Sequence, residues 1–289
     1  MKKGSYRTAY IFLAPFLLLF LAFFLFPIVY AFIMSLQTSR GLSSVYVGFH
    51  NYEVALHDTD FWSAIARMVY FGVIQVTTML LAALVSALLL DSPFAHARRF
   101  YRLLYFLPYA VPGVVGAILW GYLYAPTIGP LQAILNALGL HISLLNTNII
   151  LYSIMNMVSW GWIGYNMTIY TSGLAAISPQ LYEAARMDGA NELWLAIRVK
   201  VPLLRPLLVL TSVMSIIGTL QIFSEPYILS SLTSIPFSYT PNLDIYNTAF
   251  SFGAFNYAAT LAVLLTVITC VASSLFLYVI RRGQEGRPS

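Results

Sequence analysis

Ser178-Pro179-Gln180-Leu181-Tyr182-Glu183-Ala184-Ala185-Arg186-Met187-Asp188-Gly189-Ala190 reads as a short helix, too charged to cross a membrane, in a chain whose other long segments are strongly apolar. Ser178 suits a helix N-cap and Pro179 the first helical position, where its missing N–H costs nothing. Gly189 can take the left-handed conformation that ends a helix. A second short helix is expected from Asn191 to Val201, stopped by Pro202. The segment thus predicts two short helices hinged at a glycine, exposing Leu181, Tyr182 and the Ala184-Ala185 surface. Two readings stand side by side. The unit docks into a groove of a partner, or it lies on anionic headgroups, held by Arg186, Arg198 and Lys200.

Outward from this loop the chain is built for lipid. Of its 289 residues 60% are hydrophobic and 9% charged, against about 25% charged in a soluble domain. The mean hydropathy is +0.79. Twenty Tyr and five Trp suit aromatic belts at two interfaces. A helix needs roughly 20 apolar residues to cross the hydrocarbon core, and six stretches qualify: Tyr10 to Met34, Ser63 to Leu90, Leu103 to Tyr124, Ile149 to Gly173, Leu207 to Ser230 and Tyr257 to Ile280. The first is too long in its apolar part, and lacks the small-residue cleavage site, to be a signal peptide. Cys270 is the single cysteine, so neither a disulfide framework nor a metal cluster is expected. The net charge of +5 is spread in short groups between spans, which argues against a nucleic-acid surface.

Those groups set an orientation. Lys2, Lys3 and Arg7 precede the first span, Arg98, Arg99 and Arg102 follow the second, and Arg186, Arg198, Lys200 and Arg205 follow the fourth. Arg281, Arg282 and Arg287 follow the sixth, which leaves Arg40 and Arg67 alone on the other side. Both termini are expected to be cytoplasmic. The expected fold is all-α and polytopic: one transmembrane domain over residues 1–289, six transmembrane helices, and a cytoplasmic loop at 178–206. Within the third span, Gly113, Ala117 and Gly121 form a small-residue face for close helix packing. Pro108 and Pro112 are expected to bend it. Pro130 to Leu140 is expected to form a short outer helix, and His141 to be a solvated loop residue.

Polar residues inside spans are costly and tend to face a bundle interior or a water-filled cavity. In the fifth span Thr211, Ser215, Gly218, Gln221 and Glu225 fall on one side of a helix, a continuous polar stripe. Glu225 is the one acid well inside a span, Asp91 lying at a span end. It is either a hydrogen-bond acceptor for the hydroxyls of a bound molecule or a structural charge near the outer interface. The fourth span carries Asn156, Trp160, Trp162, Gly164, Tyr165 and Asn166, a mixture that suits sugar C–H faces and hydroxyls. Trp160 and Trp162 are two residues apart and point to nearly opposite sides of a helix, so at most one is expected to face a path. Each is alternatively a lipid-facing or packing tryptophan. Gln75 in the second span is a further candidate.

Glu183-Ala184-Ala185, Asp188-Gly189-Ala190 and Val199-Lys200-Val201-Pro202 with Pro206 behind resemble the EAA loop of ABC importer permeases, with Val199 and Val201 where the pattern has Ile and Leu. The resemblance covers nearly the whole chain and narrows to the carbohydrate-uptake branch, similar to maltose and glycerol-phosphate permeases. It runs through Leu13-Ala14-Pro15, Val47-Gly48-Phe49-His50-Asn51-Tyr52, Leu107-Pro108-Tyr109-Ala110-Val111-Pro112, Trp120 through Gly129-Pro130, Glu225-Pro226-Tyr227 and Ile245-Tyr246-Asn247-Thr248-Ala249-Phe250. Thr233-Ser234-Ile235-Pro236 departs from the Gly-Gly-Pro usual after the fifth span.

The resemblance implies a type I ABC importer permease fold, with core importer helices over 63–280. It implies that Glu183, Ala184, Ala185, Asp188 and Gly189 form a coupling helix seated in a cytoplasmic ATPase. It implies that sugar lies beside Trp162, Gly164, Ser224 and Glu225, with Gln221, Asn156, Trp160 and Asn166 as further path candidates from the residues themselves. No G-x-x-x-x-G-K-[ST] loop occurs in the sequence, so hydrolysis of ATP with Mg is assigned to partner subunits and no cofactor to this chain. The implied partners are a second permease in a heterodimer, two copies of an ATP-binding subunit and an extracytoplasmic sugar-binding protein, in a bacterial or archaeal plasma membrane. The alternatives are a permease for a glycerophosphodiester or polyamine, and a membrane-embedded enzyme. The expected path lacks an internal Lys or Arg to meet a phosphate. His50, His57, His96 and His141 are expected in loops, and no H-E-x-x-H or G-x-S-x-G occurs.

Overall fold

The computed structural model describes residues 4–40 and 43–285, so Lys2, Lys3 and Arg287, three of the orienting charges, lie outside the described residues. Among the described residues the regular structure is helical apart from one antiparallel pair of short strands, a small addition to the all-α expectation. It divides into two units, Met1–Trp62 with Asp244–Ile268, and Ser63–Leu243 with Thr269–Ser289.

In the first unit α1 (Gly4–Phe20) passes through a π-helical turn at Leu21–Leu25 into α2 (Phe26–Ser35). Every side chain from Tyr10 to Tyr30 is exposed, and a helix apolar all round belongs in lipid or against another helix. The carbonyls at its end, orphaned as at any helix terminus, are met by side chains. Asn51 donates to the Ser35 and Gln37 carbonyls (2.9 and 2.8 Å), Asn256 to Met34 (3.0 Å) and Thr260 to Ser35 (3.1 Å). β1 (Gln37–Arg40) then pairs antiparallel with β2 (Ser43–Tyr46), Thr38 opposite Val45. α3 (His50–Leu56) starts at His50, which is therefore helical rather than in a loop.

α4 (Thr59–Asp91) starts four residues before the expected span, because Asp58 caps it. Its Oδ1 accepts from the N–H groups of Asp60 (3.0 Å) and Phe61 (3.1 Å). Tyr257 donates to the other carboxylate oxygen at 2.6 Å.

In the second unit α5 (Arg98–Phe106) and a 3-10 turn at Leu107–Ala110 meet α6 (Gly113–Tyr124) at a bend of 98°. Pro108 and Pro112 cause it. Val111, immediately before Pro112, is held extended with ψ at 124°, as a residue preceding proline must be. α7 (Pro130–Ala137) is the short helix expected there, ending three residues early. α8 (Ile150–Ala175) packs on α4 around Ala83, Ala87, Leu90, Met167, Tyr170 and Leu174. A Cβ on Gly164 would overlap the Tyr105 carbonyl, so glycine alone lets the α5 segment cross α8 this closely. The small-residue face of α6 is used only in part. Gly121 lies where a Cβ would come within 2.6 Å of Leu232, whereas Gly113 faces open space.

α9 (Pro179–Met187) and α10 (Glu192–Leu195) form the expected pair, but the second does not stop at Pro202. It continues through a π-helical turn (Ala196–Lys200) and α11 (Val201–Leu203), so Pro202 lies within the continuing helix, directly after a turn in which the hydrogen-bond register has shifted. α12 (Arg205–Leu220), α13 (Ser224–Leu229) and α14 (Pro241–Tyr246) follow. α15 (Phe255–Glu285) closes the chain.

Among the described residues four helical segments are long and apolar enough to cross a membrane, or five when the bent α5–α6 pair counts as one span. α8 has the length at 26 residues, yet Ser153, Asn156, Asn166, Thr168 and Thr171 leave it less apolar than the six-span expectation assumed.

Candidate functional site

The expected polar stripe of the fifth span is interrupted. α12 ends at Leu220, Gln221 and Phe223 leave helical geometry (φ −102° and −138°), and α13 restarts the helix at Ser224. The stripe nevertheless lines one cavity, of about 590 Å³, because the break lets Gln221 and Glu225 turn to the same space as Thr211, Ser215 and Gly218. Opposite them stand Gln75, Tyr165 and Asn166. Gln75 is buried and donates to Ser159 at 3.3 Å, and Asn166 is buried and donates to the Trp162 carbonyl at 3.0 Å.

A second cavity, of about 470 Å³, lies between α6 and α8 and is walled by Pro112, Gly116, Trp120, Met157 and Trp160. The two cavities share Tyr109, Val158, Trp162 and Glu225. The shared wall is aromatic. Tyr109 stacks on Tyr165 with centroids 4.8 Å apart and meets Trp162 edge-on at 5.4 Å, and Trp162 meets Tyr165 at 5.5 Å. Trp160 and Trp162 both line the smaller cavity, and of the two only Trp162 also lines the larger. Trp162 stands at the shared wall and Trp160 stands edge-on to Trp120, 5.7 Å away, on the far side.

Among the described residues Glu225 is the one charged residue in either lining, and no Lys, Arg or His lines either cavity. The Trp120 indole N–H is buried with no acceptor among the described residues. The arrangement offers flat rings, amides, hydroxyls and a single carboxylate, a set that binds C–H faces and hydroxyl groups. Of the remaining candidates, Ser224 lines the larger cavity. Gly164 is buried under the Tyr105 carbonyl and acts by letting Tyr109 approach. Asn156 is exposed, donates to the Tyr124 hydroxyl at 2.7 Å and lines neither cavity. Tyr109 and Trp120 were not singled out by composition or spacing. The signal was there in Pro108 and Pro112, whose bend turns both rings inward.

The loop is the other candidate. Gly189 has φ +83°, and the Ala190 N–H reaches the Ala185 carbonyl (3.0 Å) while the Gly189 N–H reaches Arg186 (3.0 Å). That paired closure is the left-handed stop expected of α9. Ser178 occupies the N-cap position without a capping bond, whereas Asn191 caps the following helix by accepting from the Trp194 N–H at 2.8 Å. Glu183, Ala184, Asp188 and Gly189 are exposed and Ala185 half-buried, next to Leu181 and Met187, which are 49% and 88% exposed. A charged and apolar surface of this kind is free to meet a partner.

The sequence model of the family described as binding-protein-dependent transport system inner membrane component matches residues 79–284. The lactose transport system permease protein LacF of Rhizobium radiobacter is 32% identical over 292 residues, spanning 97% of this chain and 96% of that protein. The arabinooligosaccharides transport system permease protein AraP of Bacillus subtilis (strain 168) is 29% identical, spanning 93% of this chain and 87% of that protein. Among solved structures, a bacterial alginate ABC transporter in complex with alginate pentasaccharide-bound periplasmic protein has a chain of the same fold. Its TM-score is 0.84 at 20% identity, with 96% of each chain covered.

Proposed function

The chain belongs to the family of binding-protein-dependent transport system inner membrane components, and we propose that it translocates a neutral sugar or oligosaccharide by alternating access. It is a multi-pass membrane protein and a transport subunit of an ABC importer, not an enzyme. ATP hydrolysis belongs to a partner subunit. The observation that carries the sugar reading is the pair of cavities joined at Tyr109, Trp162 and Glu225, with rings and amides on every side and no cation in the lining. A phosphodiester would leave its charge unmet there.

Six crossings complete the scheme, with α8 the sixth. Its polar residues Ser153, Asn166 and Thr171 are buried within the unit rather than in lipid, which offsets its lower apolarity. Both termini and α9 lie on the cytoplasmic side of a bacterial or archaeal plasma membrane, in keeping with the distribution of Lys and Arg. α9, with Glu183, Ala184, Ala185, Asp188 and Gly189, seats in one of two ATP-binding subunits that hold ATP and Mg. A second permease completes the pore, and an extracytoplasmic binding protein delivers cargo.

Uptake measured in cells lacking this chain, against a panel of labelled neutral saccharides, glycerophosphodiesters and polyamines, tests the reading. Loss confined to a saccharide is expected. Loss of a phosphodiester or polyamine with saccharide uptake intact would overturn it.

A further inference from the structure

One buried ion pair ties the loop to the span ends. Lys200, the last residue of the π-helical turn, places Nζ 2.7 Å from Oδ2 of Asp91, the last residue of α4, and the two side chains are 4% and 22% exposed. The same ammonium lies 5.1 Å from the centre of the Tyr182 ring. Tyr182 belongs to α9, between exposed Leu181 and Glu183, and its hydroxyl reaches toward the Leu174 carbonyl in the last turn of α8 at 3.5 Å. Three helix ends therefore converge on one charge.

A lysine this buried has to be paired, because an isolated ammonium in such a place is costly, and removing one partner leaves the other charge uncompensated. The phenol of Tyr182 is pushed up to about 12, first by burial and then by the charge of Asp91, which fits a shielded cluster. The other tie across the loop is different in kind. Arg186 and Glu192 bridge the Gly189 hinge at 2.8 Å but are 46% and 34% exposed, and exposed pairs hold little.

We propose that Lys200 is a positioning residue that, with Asp91 and Tyr182, latches α9 to the ends of α4 and α8, so that displacement of α9 moves the spans instead of swinging about Gly189. The inference rests on the reading of α9 as the coupling helix. The ion pair fixes the loop to α4. The ring of Tyr182 carries the connection into α9.

The test uses the transporter purified as a complex from its native membrane and placed in liposomes with its binding protein, scored as sugar carried per ATP hydrolysed. Lys200→Met and Asp91→Asn are expected to lower that ratio about tenfold, the scale of a coupling between sites, with basal hydrolysis little changed. The exchanged pair, Asp91→Lys with Lys200→Asp, is expected to recover most of the ratio, which loss of packing alone would not allow. Wild-type coupling in both single variants, or an exchanged pair no better than either, overturns the latch. Should the single variants fail to assemble, Tyr182→Leu keeps the ion pair and removes the ring over it. A fall in the ratio supports the latch, and a wild-type ratio overturns it. Glu183→Lys separates failure of the latch from failure of α9 docking. If it uncouples while Lys200→Met does not, the latch alone fails. If it too leaves coupling intact, the docking role of α9 fails with it.

Discussion

The ring of Tyr109 stacks on that of Tyr165, 4.8 Å between centroids and 26° between planes, and joins the segment after α5 to α8 at the wall between the two cavities. The stack depends on how closely the backbones approach, and that depends on Gly164 meeting the Tyr105 carbonyl.

Gly164→Ala is therefore expected to destabilise the protein by about 1–3 kcal/mol, the usual cost of overpacking. Gly161→Ala, where an added methyl meets nothing within 4 Å, is expected to be neutral or slightly stabilising. Thermal unfolding of the two purified variants reads the contrast, and equal melting temperatures would contradict the packing argument.

Trp162→Ala and Tyr109→Ala each remove aromatic contacts worth about 0.5–1.5 kcal/mol. Each is expected to raise the KM for sugar uptake about fivefold, with the complex still assembled. Glu225→Gln keeps the shape and removes the one charge, so a larger loss of uptake than Asn156→Ala is expected, since Asn156 lines neither cavity. Uptake kinetics with copurification as the control check all four.

Gly189→Val forces a β-branched residue to φ +83°, at a cost of about 1–2 kcal/mol from the left-handed geometry. The chain is expected to insert normally while transport per ATP falls. Wild-type transport would show that the stop after α9 is not needed for coupling.

Asp244 carries a pH prediction. Burial first, then the charges of Asp58 and Asp60, push its carboxyl from 3.8 up to about 6, against a hydrogen bond from Thr248 that lowers it. One of its oxygens is buried without a partner among the described residues. The folded state therefore holds a proton that the unfolded state releases, so stability is full below about pH 4 and falls as pH rises to about 6. Asp244→Asn is expected to remove that loss, gaining about 2 kcal/mol at pH 7.5 and little at pH 4.5. Melting temperatures at the two pH values decide, and an equal change at both would contradict the assignment.

The features that local pattern controls were legible in the sequence. Apolar length marked out most of the helices, Gly189 announced its own left-handed turn, and the polar stripe from Thr211 to Glu225 does line one cavity. What was not legible depends on pairings far apart in the chain. Nothing near Lys200 names Asp91 as its partner, and nothing near Trp120 says that Trp160 will stand across from it. Pro202 misled because proline need not end a helix whose hydrogen-bond register has already shifted, as it has in the π-helical turn at Ala196–Lys200.

On the proposed function, α9 passes the work of an ATPase to a path selective for sugar. The most direct test is ATP hydrolysis by the chain copurified with its partners from the native membrane, in the presence of binding protein, across a panel of saccharides. The account predicts that an ATP-binding subunit and a second permease copurify and that one neutral saccharide raises turnover. An isolated chain with no ATPase, or turnover indifferent to every saccharide, would contradict it.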